Sequence, residues 1–172
     1  MRLTLYNQRV STPILQAEAD SLRTMPKRLT KSEVVYFANP GESMKLELES
    51  MDRRTAFLLD INRKGRIKLS RCTLQERHRT VEILARLDLG GSKHTNPKVE
   101  TPPLDILKKH NGRTFEVDEP HFHIYVEGYD ARWAIPAAEA GFKQTTDLVL
   151  AFREFMIHCG VQDVPMIQYP LQ

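Results

Sequence analysis

The 172-residue sequence predicts an α+β fold. We expect one domain over residues 1–172, with a mostly antiparallel, twisted sheet of about six or seven strands and an N-terminal and a C-terminal helix packed on it. Three observations predict this. Segments that alternate apolar and polar residues fill the middle of the chain and recur just after residue 120. Helical spacing is concentrated towards the two ends. The strand–helix–strand alternation that builds a parallel sheet is missing, as are internal repeats and any interdomain linker.

The elements follow in order. In "STPILQAEADSLRTMPKRL", Thr12 is the expected N-cap and Pro13 the first helical residue, with Leu15, Ala19 and Leu22 at helical spacing and Pro26 as the stop. "SMKLELES" alternates, with Met44, Leu46 and Leu48 on one face. "TAFLLDINRKGRIKLSRCTL" reads as two strands around a turn at Lys64-Gly65, where glycine supplies the positive φ of a tight hairpin. "TVEILARLDLGG" places Val81, Ile83, Ala85, Leu87 and Leu89 on one face and Glu82, Leu84, Arg86 and Asp88 on the other, and Gly90-Gly91 ends it.

Residues 97–120 form an inserted loop. A structureless stretch of that length is improbable in a compact domain, so a short helix is expected near 102–110, stopped at Asn111-Gly112. "HFHIYVEG" and "YDARWAIP" are the next strand and its return. "TTDLVLAFREFMIHCG" is an amphipathic helix, with Thr146 as the expected cap, Asp147 in its first turn and a stripe of Leu148, Phe152, Phe155 and Cys159. The tail "VQDVPMIQYPLQ" has no periodicity.

Hydrophobic residues make up 41% and charged residues 27%, which supports a packed core and excludes global disorder. A net charge of +3 permits an anionic partner but falls short of a nucleic-acid-binding signature. No apolar run reaches the roughly 20 residues of a membrane span, and the N-terminus lacks the features of a signal peptide. Cys72 and Cys159 have no motif spacing and read as buried thiols. The expectation is a cytoplasmic protein without membrane association.

The most informative stretch is "HFHIYVEGYDARWAIP" at 121–136. Side chains two apart on a strand share a face at about 6.6 Å spacing. His121, His123 and Tyr125 therefore line one side, against Phe122, Ile124 and Val126 on the other. The bland alternative is a half-exposed strand that happens to hold histidines. A third histidine, His94, follows the end of an earlier strand in "GGSKHTNP". Three readings compete. In the first, His121, His123 and His94 supply the acid and base of metal-independent phosphodiester cleavage. Tyr125 orients or donates a proton, and Arg86, Lys93, Asn96, Arg132 and Trp133 bind the substrate. In the second, the row is a metal site. His121-x-His123 with Glu127 has the spacing of the first cupin motif, but an extended strand puts Glu127 about 20 Å from His121. A set of His121, His123 and His94 is the three-histidine alternative, and neither metal nor cofactor is assigned. In the third, the row is a binding face without catalysis, helped by the basic run Arg63, Lys64, Arg66, Lys68 and Arg71. Asp60 and Asp88 lie within strands and are read as structural partners of arginines. A phosphate-binding glycine loop, a G-x-S-x-G elbow and a C-x-x-C pair are all missing.

The segments "MPKRL", "GESMKLELES", "FLLDINRKGRIKLSRCTLQERHRT", "LARLDLGGSKHTNP", "HFHIYVEGYDARWAIP" and "TTDLVLAFREFMIHCGV" cover most of the chain in order. Together they resemble an uncharacterised bacterial family, a domain of unknown function marked by HTNP and HxHIYxEGYxxxWAxP motifs. In that family a short polar loop typically joins the two motifs, whereas this chain carries "KVETPPLDILKKHNGRTFEVDEP". The resemblance implies an antiparallel sheet with flanking helices in a cytoplasmic protein of bacterial or phage origin. It implies no activity. It places His94, Asn96, His121, His123, Tyr125, Glu127, Tyr129 and Trp133 within the defining motifs.

The leading expectation is a phosphodiester-directed protein, an RNA-cleaving toxin or defence-related nuclease whose partner is RNA or another phosphate-bearing ligand. The alternative is a non-enzymatic binding protein, such as an antitoxin, immunity or anti-defence protein, with a protein partner on the His/Tyr/Trp face.

Overall fold

The computed structural model describes residues 13–31, 34–63, 71–79 and 81–169. Its elements are α1 (Gln16–Thr24), β1 (Lys27–Leu29), β2 (Val35–Tyr36), β3 (Ser43–Ser50), β4 (Ala56–Asn62), β5 (Cys72–His78) and β6 (Glu82–Leu89), followed by β7 (His94–Thr95). A 3-10 turn (Asp105–His110), β8 (Thr114–Phe115), β9 (His121–Val126), β10 (Asp130–Pro136), α2 (Leu148–His158) and β11 (Ile167–Gln168) complete the order. The fold is α+β, as expected. One antiparallel sheet of seven strands runs β1-β3-β4-β5-β6-β9-β10. Two small ladders flank it, β11 with β2 and β7 with β8.

The pleat divides the sheet. Leu59, Leu74, Leu87 and Phe122 face a core shared with Ala19 and Leu22 of α1 and with Ala151, Phe152 and Phe155 of α2. Burying each of the leucines and phenylalanines among them contributes about 1.5–3 kcal/mol. The free thiols of Cys72 and Cys159 lie in the same core.

Several local expectations are corrected. α1 starts at Gln16 with Leu15 as its cap residue, so Pro13 precedes the helix, and Leu15 itself is exposed. Thr12 and the Lys64-Gly65 turn lie outside the described residues. α2 is capped by Asp147 rather than Thr146: the Asp147 side chain accepts from the N–H groups of Val149 and Leu150. Val81 is exposed and precedes β6, whereas Leu84 is buried. The expected short helix in the insertion is the 3-10 turn, which ends at Asn111 with Gly112 at φ +67°. Gly160 does end α2: its φ is +81°, and a Cβ there would collide with the Met25 carbonyl oxygen. The aperiodic tail supplies β11, paired in parallel with β2.

One ion pair is sealed inside this core. Lys27 Nζ lies 3.1 Å from Glu76 Oε1, with both side chains fully buried. The ammonium also donates to the carbonyls of Arg23, Met25 and Cys159. Burial pushes the Glu76 carboxyl up to about 7, opposed by Lys27. Removing the carboxylate strands the buried Lys27 ammonium, so Glu76→Leu should cost roughly 3–5 kcal/mol in urea unfolding, and Glu76→Leu with Lys27→Met should recover most of it. Equal losses in the single and double variants would contradict this.

His158 ends α2 against Phe122 and Phe142. Burial, aided by Arg23, lowers its imidazole from 6.5 to about 4. The unfolded chain therefore takes up this proton first. The contribution to stability is complete above about pH 7 and falls as pH drops from 6.5 towards 4. His158→Gln should flatten that part of the profile of urea midpoint against pH. Identical slopes for variant and wild type would contradict it.

Candidate functional site

The site forms on the sheet face opposite Phe122 and is set by strand register. β6 pairs with β9 so that Asp88 stands opposite His121 and Arg86 opposite His123. These are cross-strand neighbours on one face, at contact distance. His94 joins them from β7, where it pairs with Phe115 of β8. The three imidazoles touch: ring centroids lie 5.5 Å apart for His94–His121, 4.5 Å for His94–His123 and 5.0 Å for His121–His123. Phe115 stacks on His121 at 4.9 Å and closes the cluster from the insertion side.

Backbone carbonyls fix the ring orientations. His121 Nδ1 donates to the Glu119 carbonyl at 2.7 Å, and His123 Nδ1 donates to the Ala131 carbonyl at 2.9 Å. A carbonyl only accepts, so both protons sit on Nδ1. Both Nε2 atoms turn towards Asp88 Oδ2, at 3.6 Å from His121 and 3.1 Å from His123. Arg86 bridges the two kinds of acceptor. Its Nη2 donates to His123 Nε2 at 2.7 Å, and its Nε donates to Asp88 Oδ2 at 3.0 Å. The short Asp88–His123 approach is therefore not a hydrogen bond of the neutral ring. A carboxylate and a lone pair face each other, and the guanidinium holds them together. Thr73 Oγ1 donates to the other Asp88 oxygen at 2.7 Å.

The protonation states follow. Burial pulls His123 down to about 4, against the opposing pull of Asp88. Burial also lowers His94. Burial would raise Asp88, but His123, which is protonated in the acid range where this carboxyl titrates, Arg86 and Thr73 hold it well below the ordinary carboxylate range.

His121 and His123 are 3% and 0% exposed, so solvent does not reach them directly. The open side of the cluster is formed by Arg86, Asp88 and His94, all partly exposed. Thr73, the Asp88 partner, also lines a cavity of about 320 Å³ on the sheet face, with Lys45, Asp60, Asn62, Gln75 and Arg77.

The remaining expected residues fall elsewhere. The Tyr125 hydroxyl donates to the Ile14 carbonyl, and the Glu127 carboxylate accepts from the first backbone N–H of α1. Both dock that helix, so Glu127 is no ligand beside His121. Asn96 is 2% exposed. Its amide donates to the carbonyls of His110 and Ala134 and accepts from the Ala134 N–H, which ties the insertion to the edge strand β10. His94 Nε2 meets the same Asn96 oxygen at 3.1 Å. Trp133 is fully buried, because a bulge between Asp130 and Trp133 shifts the phase of β10 and pairs it with Ile124 instead of His123. Arg132 is exposed, and Lys93 is exposed but paired with Glu116 at 3.0 Å. The geometry thus unites His94, His121, His123 and Arg86. It adds Asp88, which pairs with an arginine as the sequence predicts and, two residues from Arg86, shares the polar face of β6 with it.

A family model described as "Family of unknown function (DUF6978)" matches residues 14–161. No curated protein and no solved structure matches the chain.

At neutral pH, nitrogen NMR of labelled imidazoles should show His123 as the neutral Nδ1–H tautomer. An Nε2–H tautomer would mean that Asp88, not Arg86, is the partner of that nitrogen.

Proposed function

We propose that this chain, which belongs to the family of unknown function whose model spans residues 14–161, is a phosphodiester-directed enzyme that acts on RNA. The observation that carries the reading is the contact of three imidazoles with a carboxylate and a partly exposed guanidinium. Phosphoryl transfer needs groups that move protons near neutral pH and a cation for the charge that develops on phosphorus. Here His94, on the open side, is the first imidazole an incoming phosphate meets. Arg86 is the nearest cation, and Lys93 and Arg132 lie further out on exposed positions. His121 is the second candidate for proton transfer. His123, with both ring nitrogens engaged, positions Arg86 and does not itself donate.

The alternative of a binding protein that presents a His/Tyr/Trp face has less support, since Tyr125, His123 and Trp133 are buried and offer a partner no surface. A cytoplasmic setting remains the accompanying expectation. Among the described residues no helix is long and apolar enough to cross a membrane.

End-labelled total RNA incubated with the purified chain, with and without chelator, should be cleaved. His94→Ala and Arg86→Ala should each lower the rate roughly 100- to 10,000-fold. Intact RNA under every condition, from protein that circular dichroism shows to be folded, would sink the reading.

A further inference from the structure

Asp88, His121 and His123 each place one ligand atom within 4.8 Å of the others', and both imidazole Nε2 atoms approach Asp88 Oδ2. Two ligands each about 2.1 Å from a tetrahedral ion stand about 3.4 Å apart. The carboxylate-to-imidazole separations of 3.1 and 3.6 Å bracket that value. The surroundings also suit a metal. Each histidine gives its Nδ1 proton to a backbone carbonyl, which leaves Nε2 turned inward, and the second Asp88 oxygen is anchored by Thr73. Outer hydrogen bonds of this kind orient metal ligands and raise their basicity. The fourth side is open towards Arg86 and His94. His94 is not a ligand here, because its Nε2 is committed to Asn96.

We propose that Asp88, His121 and His123 bind one divalent transition-metal ion, and that the Arg86 guanidinium is its built-in competitor. A carboxylate that faces an imidazole lone pair in a mostly buried site needs positive charge between them. Arg86 now supplies it, with one N–H on each group. A metal takes over that charge and frees a partly exposed guanidinium for an anionic substrate; His121 is then a ligand, and proton transfer is left to His94. Two nitrogen donors and one carboxylate select ions such as Zn²⁺, Co²⁺, Fe²⁺ or Mn²⁺ over Ca²⁺ and Mg²⁺. The inference rests on the proposed function only in reading this cluster as the working centre.

The test is metal binding, read without any activity assay. The full chain, stripped with chelator, is titrated with Co²⁺ by visible absorption and with Zn²⁺ by calorimetry and thermal unfolding. The expected result is one ion per chain, a cobalt spectrum of low-coordinate nitrogen and oxygen ligation, and a raised Tm. Asp88→Asn and His121→Ala should weaken Zn²⁺ binding at least 100-fold, Thr73→Val about tenfold, and Arg86→Met should tighten it. Failure of folded wild-type protein to bind either ion overturns the proposal, so the test survives if the histidine variant does not fold. Binding unchanged in Asp88→Asn and Thr73→Val places the ion elsewhere and overturns it too. Unchanged or weaker binding in Arg86→Met overturns the competitor role. Binding as described without RNA cleavage upholds this site and removes the proposed substrate. Cleavage without binding does the reverse.

Discussion

A carboxylate placed against two inward-turned imidazole nitrogens, on a largely closed sheet face, demands a cation. That constraint at Asp88 organises this side of the molecule. The β6–β9 register brings the carboxylate and both histidines together, and the carbonyls of Glu119 and Ala131 fix the rings. Arg86 then becomes the group on which the arrangement balances. The insertion serves the same end. Asn96 pins it to β10, Phe115 covers His121, and His94 enters the cluster from β7, the short strand just before it.

The opposite face of the sheet solves a similar problem differently. Lys27 and Glu76 are sealed in the core, and the ammonium is further engaged by three carbonyls. Nothing there is left open to solvent. Around Asp88 the charges are partly exposed, and a guanidinium stands between the acceptors. A closed pair supports the fold. A cluster with an open side and a displaceable cation is suited to binding something. The helices report the same division of labour: α2 packs its aromatic stripe on Phe122, behind the histidines, while Tyr125 and Glu127 anchor the start of α1.

Much of this was legible in the sequence. Alternation alone put His121 and His123 on one face and Phe122 on the core side. The apolar stripe of α2 and its glycine exit were equally plain. What alternation cannot show is which strand lies beside β9. The link from β6 to β9 is long and contains two short strands, so the pairing that makes Asp88 a partner of His121 is a tertiary fact. The bulge in β10 is also hidden, and it turns Trp133 into the interior while placing the Ala131 carbonyl at His123. Tyr125 and Glu127 continue the polar row in sequence, yet both are taken by the α1 lead-in, a contact across more than a hundred residues. Asp147 displaced Thr146 as cap because its carboxylate reaches two free N–H groups at once.

Asp88 and Arg86 act as one unit. The most direct measurement is a double-mutant cycle in urea unfolding with Asp88→Asn, Arg86→Met and the pair. The expected result is a coupling of about 1–3 kcal/mol, with the double variant more stable than the sum of the single losses allows. Additive losses would show that the guanidinium is not the cation this carboxylate depends on.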